Sequence, residues 1–239
     1  MHSKGEIGYQ SAITSCQDQF SSCNQICQKV GGPYDPLIDP ANFSTKIDNP
    51  YFSLKPGTTY IYEGPTSQGF QRNTVEVTHN TKIIDGFTCV EVHDLVFTDG
   101  ELTEDTLDWY AQDKDGNVCY FGEDSDELGN GRVTSSAGPW HAGVNGARPG
   151  ILVEAHPKVG DFHRQEFLLN TAEDVARVLD LKQTVTVPAG TFHHCLETEE
   201  ISGLEPGGLE HKFYAPGIGN VQTIDLVTGD TTPLVMIIK

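Results

Sequence analysis

Short runs in which apolar and polar residues alternate follow one another along most of the chain: TTYIYEG, RNTVEVTHNTKII, FTCVEVHDLVF, DTLDWYAQD, NVCYFGE, FHRQEFLL, QTVTVP, GTFHHCLETEEI, LEHKFYAPG and GNVQTIDLV. They are rich in β-branched and aromatic residues and are divided by Asp-Gly, Pro-Gly or Gly-Asn pairs, the signature of half-buried strands joined by tight turns. Asp85-Gly86, Asp99-Gly100 and Asp115-Gly116 each predict a hairpin. Hairpins this closely spaced predict an antiparallel meander rather than parallel βαβ units.

Two stretches carry a helical period instead. Ile13, Cys16, Phe20, Cys23, Cys27 and Val30 follow at spacings of 3, 4, 3, 4 and 3, an apolar stripe down one side of a helix over residues 11–30 that Gly31-Gly32-Pro33 ends. The stripe fits docking on the β domain or self-association as a homo-oligomer through this helix; its shortness favours docking. In NTAEDVARVLDL, Asn170 with Glu173 or Thr171 with Asp174 can form a capping box, and Val175, Val178 and Leu179 supply a small apolar face, which predicts one short internal helix. Residues 34–50, rich in Pro, Asp and Asn without a period, read as a strap, and the Gly-, Asp- and Ser-rich residues 122–150 read as a long loop. The resulting division is a cysteine-bearing helix and strap over 1–44 and one antiparallel β domain over 45–239.

Charge narrows the partners. The chain of 239 residues has 34 acidic and 15 basic side chains, formal charge −19, which speaks against nucleic acid, since phosphate binding needs concentrated Lys and Arg. No run of 18 apolar residues predicts a membrane-spanning helix, and Met1-His-Ser-Lys-Gly lacks the apolar region of a signal peptide. Six cysteines allow up to three disulfides in any of 15 pairings. With the acidic, Lys-poor composition they point to an oxidising setting, secreted or periplasmic, against the alternative of buried free thiols.

The phrases IDNPYFSLKPGTTYIYEG, EDTLDWYAQDKDGNVCYFGE, HPKVGDFHRQEF, VTVPAGTFHHCLETEE and EHKFYAPGIGNV together resemble a widespread group of bacterial secreted or lipoprotein-type β-rich proteins. The resemblance covers residues 47–226 and leaves out the cysteine-bearing stripe; after DGNV this chain has Cys119 where the group's pattern has Trp. It implies an open antiparallel barrel or half-barrel of the lipocalin or LolA-like kind, able to hold an apolar ligand, and it assigns no reaction. The expected fold is therefore mainly β, with an N-terminal helix and one short internal helix.

Candidate chemistry is scattered. In GTFHHCLETEE a regular strand would put Phe192, His194, Leu196 and Thr198 on one face and His193, Cys195, Glu197 and Glu199 on the other. His193 and His194 therefore cannot chelate one ion, and His194, between two apolar neighbours, is expected to be buried. In CVEVHDLVF the Val face reads as core, leaving Glu91 and His93 toward a cavity or solvent. A divalent zinc or copper ion would need ligands converging from several strands, with His93, His163, His193 and His211 as candidates, although no HxH, HExxH or CxxC spacing exists. Calcium is the weaker fit: the Asp113–Asp115–Asn117 alternation has Val118 at the sixth position, where a calcium loop needs Gly, and Asp124 at the twelfth, so a hairpin turn explains it better and Asp124, Asp126 and Glu127 remain as a loose oxygen set. Trp140 and His141, in the long loop, are candidates for a ligand-gating rim, and Glu197, Glu199, Glu91 and Lys212 for ligand contacts. No G-x-S-x-G elbow or phosphate loop occurs. The favoured reading is a secreted binding or matrix protein holding a small apolar or amphipathic ligand. The alternative is a metal-assisted lyase or hydrolase, acting on an extracellular polymer or small molecule through a His/Glu site.

Overall fold

The computed structural model describes residues 28–30, 33–136, 138–204 and 207–239. Residues 28–30 are helical; the rest of the cysteine-bearing stripe, with Cys16, Cys23 and Cys27, lies outside the described residues. From Thr59 onward the chain is an antiparallel meander of β1 (Thr59–Thr66), β2 (Gly69–Ile84), β3 (Phe87–Thr98), β4 (Glu101–Asp113), β5 (Val118–Gly129) and β6 (Arg148–Val153). It continues through β7 (Phe162–Arg164), β8 (Glu166–Phe167), β9 (Asp174–Val187), β10 (Gly190–Ser202), β11 (Glu210–Ala215), β12 (Gly219–Asp225) and β13 (Thr231–Ile238). The Asp-Gly turns form as expected, with Asp85 and Asp99 both at positive φ (49° and 51°) in the geometry that matches strand twist.

The strands run around a nearly closed barrel in the order β7-β9-β10-β11-β12-β13-β1-β2-β3-β4-β5-β6-β8. Its two edges fall on consecutive stretches of one segment: β7 pairs with β9, and β8 with β6. Gly150 makes this seam possible, because a Cβ there would lie 2.3 Å from the Gln165 carbonyl carbon. Closing a sheet onto itself removes the exposed edges that otherwise invite aggregation.

The strap closes one end. Phe43–Ser44 pairs with β4, and Ile47–Asp48 with Ser53–Leu54 forms a two-stranded hairpin. Asn49, 2% exposed, directs the crossing: its amide nitrogen donates to Gly116 O (2.8 Å), and its oxygen accepts from the backbone of Tyr51 and Phe52. Gln112 Oε1 accepts from the backbone of Asp48 and Asn49. The phrase NPYF thereby drives Phe52 into the barrel, 5.6 Å from Tyr110 and 6.5 Å from Tyr214 between ring centroids. Outside the barrel, Phe43, Phe87 and Phe121 pack edge to face or tilted, so this part of the wall is buried on both sides.

Three expectations are corrected. Residues 174–187 form β9, not the internal helix. The cap-like bond exists, Asn170 N donating to Glu173 Oε1 at 2.7 Å, but it closes a turn ahead of a strand. The start of the strand is covered on both faces, Val175 packing with Ile201 and Val178 with Val153 and Leu196, so the buried positions mimic a helical spacing. Residues 122–150 are not one loop: β5 runs to Gly129, returns as Arg132–Ser135, and Trp140–His141 pairs back onto Glu123 and Gly122. Finally, Cys89, Cys119 and Cys195 are buried free thiols rather than disulfide partners.

Candidate functional site

The barrel encloses two adjoining hollows. At the end made of the β1–β2, β3–β4 and β12–β13 turns lies a vestibule of about 690 Å³, lined by Thr66, Thr98, Glu104, Glu127, Glu210 and Asp230 among others. It shares Thr223 and Thr232 with a deeper pocket of about 260 Å³, floored by Phe52, Ser53 and Leu54 of the strap. Phe52, Tyr60, Tyr62, Tyr110 and Tyr214 give the deep pocket its rings; Asn73, Asp94, Asp108 and Lys212 give it polar atoms. A side chamber of about 200 Å³ opens beside Lys212, Asp174 and Glu200. Among the described residues, Lys212 is the one basic side chain on these linings.

Alternation explains how the acids arrive inside. On β4 the residues Glu104, Thr106, Asp108 and Tyr110 share the inner face; Thr106 donates to Glu104 or pairs with Ser125 of β5 at 2.7 Å. On β5 regular alternation would separate Tyr120 from Glu123. A bulge opposite Trp109 and Tyr110 brings them to the same side. Gly122 sits in that bulge at φ +148°, where a Cβ would meet Trp140 O at 2.3 Å. Tyr120 Oη consequently lies 2.5 Å from Asp108 Oδ1 and 2.8 Å from Glu123 Oε2. A phenol has one hydrogen to donate, so one of the two carboxyls carries a proton and donates in return.

The electrostatics agree with that bridge. Burial, reinforced by the charge of Asp94, pushes Asp108 well above the usual carboxylate range, and burial raises Glu123 as well. Burial with the nearby charge of Glu104 pushes Asp94 up to about 7. Burial with the charges of Asp174 and Glu123 pushes Glu166 up to about 9. Across the lumen, Lys212 Nζ pairs with Glu200 at 2.7 Å and with Glu210 at 3.6 Å. Burial opposes both charges of the tight pair. Their attraction prevails, holding Glu200 below its ordinary value and Lys212 well above. Glu200 also accepts from Tyr214 Oη (2.9 Å) and Thr198 Oγ1 (3.1 Å), so this ion pair is satisfied within the wall.

The candidates named from the sequence fall in different places. Lys212 is in the lumen. Trp140 is buried against Tyr120 with ring centroids 5.3 Å apart, while His141 lies outside, 3.1 Å from Asp124, which also meets Lys82. Glu91 accepts from Thr78 and Asn80 on the outer face. Glu197 and Glu199 stand on the outer wall, around His211 at 2.9 and 3.8 Å, with Arg177 on Glu199. His93 pairs with Asp105, His163 lies 3.9 Å from Glu154, and His193 meets Thr184 Oγ1 at 3.2 Å. The four histidines thus have separate partners, and among the described residues no three His, Cys, Asp or Glu side chains are grouped to hold a metal ion. Asp124, Asp126 and Glu127 are strand residues of β5, with Asp126 taken by Ser136 Oγ at 2.7 Å. Burial pushes the Cys89 and Cys119 thiols up to about 12, which leaves neither an activated nucleophile.

Sequence reasoning missed Asp94, Asp108, Tyr120, Glu123 and Glu200. The available signal was an acid on the same face as an aromatic residue, as in Asp108 with Tyr110; a water-facing side has no use for the ring.

No family model matches the chain, and no curated protein matches it in sequence. Among solved structures the chain is similar to one described as a "putative lipoprotein from Parabacteroides distasonis", at 14% identity and a TM-score of 0.42. That similarity covers 79% of this chain and 98% of the other.

Proposed function

We propose that this protein is a binding protein that takes a small amphipathic molecule into the barrel through the vestibule. The observation that carries the reading is the pair of adjoining hollows, open at the turn end and closed by Phe52, whose deep part combines five rings with buried carboxyls. Its size is that of ligand pockets generally, which run to roughly 300–1,000 Å³ and pair apolar walls with a few convergent polar groups. A purely apolar ligand would leave the unpartnered Asp94 Oδ1 desolvated without recompense, so the lining favours an amphipathic one. A blind pocket also suits a small molecule better than an extracellular polymer. A secreted or periplasmic setting belongs to the same proposal, on the acidic, Lys-poor composition.

Nile red, a neutral solvatochromic dye, tests the reading. The protein should raise and blue-shift its emission saturably. Val75→Trp, which sets an indole into the deep pocket, should weaken that binding at least tenfold while the far-ultraviolet circular dichroism stays that of the parent. Equal binding by parent and variant, or none by either, would overturn the proposal.

A further inference from the structure

We infer that the deep pocket recognises an organic ammonium, a primary or secondary amine carried on an apolar body about the size of one aromatic ring. The inference rests on the binding-protein reading and names the ligand's chemistry. Two acceptors on adjacent strands, Asp94 Oδ1 of β3 and Asn73 Oδ1 of β2, are buried with no hydrogen-bond partner, and both side chains line this pocket. The other Asp94 oxygen has only the Asn73 amide, at 3.4 Å. A buried acceptor without a donor is costly, and native proteins keep few of them outside sites that a ligand completes.

The missing partner is a donor and a cation. Lys212 cannot supply it, being held by Glu200 and Glu210. The approach is acidic as well: Glu104, Glu127, Glu210, Asp225 and Asp230 line the vestibule, with no basic side chain among the described residues there. Such a funnel concentrates cations and speeds their capture. A bare metal ion fits less well, because among the described residues no triad of suitable ligands is grouped. The rings of Phe52, Tyr60, Tyr62, Tyr110 and Tyr214 favour an ammonium on an apolar body, through cation–π attraction and burial together.

Protonation supports this arrangement. Asp94 is raised to about 7 by burial and by the charge of Glu104. The groups around it are Asn73 on β2, Glu104 and Asp108 on β4, Tyr62 on β1, and Lys212 across the lumen, with His93 beside it on its own strand. An ammonium binds the ionised form, so affinity should rise with pH through that value.

The test compares 2-phenylethylamine with its uncharged counterpart 2-phenylethanol by isothermal titration calorimetry on the full chain. At pH 8 the amine should bind at least tenfold more tightly than the alcohol, and the preference should shrink severalfold at pH 5.5. Asp94→Asn should abolish the preference at pH 8 by weakening the amine at least tenfold more than the alcohol. Asn73→Leu, a second variant that spares Asp94, should weaken the amine at least threefold. Equal affinity for amine and alcohol, or a preference that survives Asp94→Asn, would overturn the ammonium inference and leave the binding-protein reading standing. Failure of Nile red as well would overturn both.

Discussion

His194 sits at φ +59°, exposed to solvent, at the point where β10 steps out of register with β9. Gln183 pairs with Cys195 and Thr184 with His193, so His194 is the extra residue of a bulge. A side chain with a Cβ holds the left-handed region at a cost of about 1–2 kcal/mol. Three substitutions therefore have distinct expected outcomes in a thermal melt. His194→Gly should hold or raise the midpoint, and His194→Ala should change stability by no more than about 0.5 kcal/mol. His194→Val, β-branched and barred from this conformation, should cost about 1–3 kcal/mol. A costly His194→Ala would restore the buried histidine that strict alternation predicted. That prediction failed because alternation says which face follows which but cannot show where a residue is added. Nor can alternation show that Cys195 and Leu196, neighbours in sequence, are both buried, in separate apolar clusters.

At the scale of elements, turns were the legible part and covered faces were not. Asp-Gly pairs state their own backbone geometry, so the hairpins at Asp85 and Asp99 could be read directly. Strand β9 could not, since its start is covered on both faces, Val175 packing with Ile201 and Val178 with Val153 and Leu196, which gave its buried positions the spacing of a helix face. Nor could the strap over residues 34–50, whose lack of a period gave no sign that it seats Phe52 as a plug. Asn49 joins the β4–β5 turn, the strap hairpin and the Phe52 backbone. Asn49→Ala should cost about 2–4 kcal/mol, because several buried backbone groups lose partners together. Hydrogen exchange should then show loss of protection at Tyr51 to Leu54 before any change in β2 and β3. Unchanged protection at the strap would mean that Phe52 is held by ring packing alone.

The whole molecule combines an acid-rich hollow with a surplus of negative charge, −19 in formal terms, and this sets how stability follows pH. Asp94, Asp108, Glu123, Asp174 and Glu166 all have carboxyls raised by burial, so the folded state binds more protons than the unfolded one. For a raised carboxyl, stability is greatest below its unfolded value near 4 and falls as pH climbs toward the folded value. The window for Asp94 closes near 7, and for Glu166 near 9. Glu200 acts in the opposite sense: Lys212 holds it below its ordinary value, so its contribution is lost only under stronger acid. The melting temperature should therefore peak near pH 5 and fall on the order of 10 °C by pH 9, since a pKa unit is worth about 1.4 kcal/mol and a chain this size moves about 2–4 °C per kcal/mol. Scanning calorimetry across that range measures it, and Asp94→Asn should flatten the slope below pH 7. An ammonium ligand supplies the countercharge that the wall lacks, so saturating 2-phenylethylamine should lift the melting temperature more at pH 8 than at pH 5. A flat profile in the free protein would mean that the carboxyls ionise without penalty, and the lumen would then have no electrostatic reason to prefer a cation.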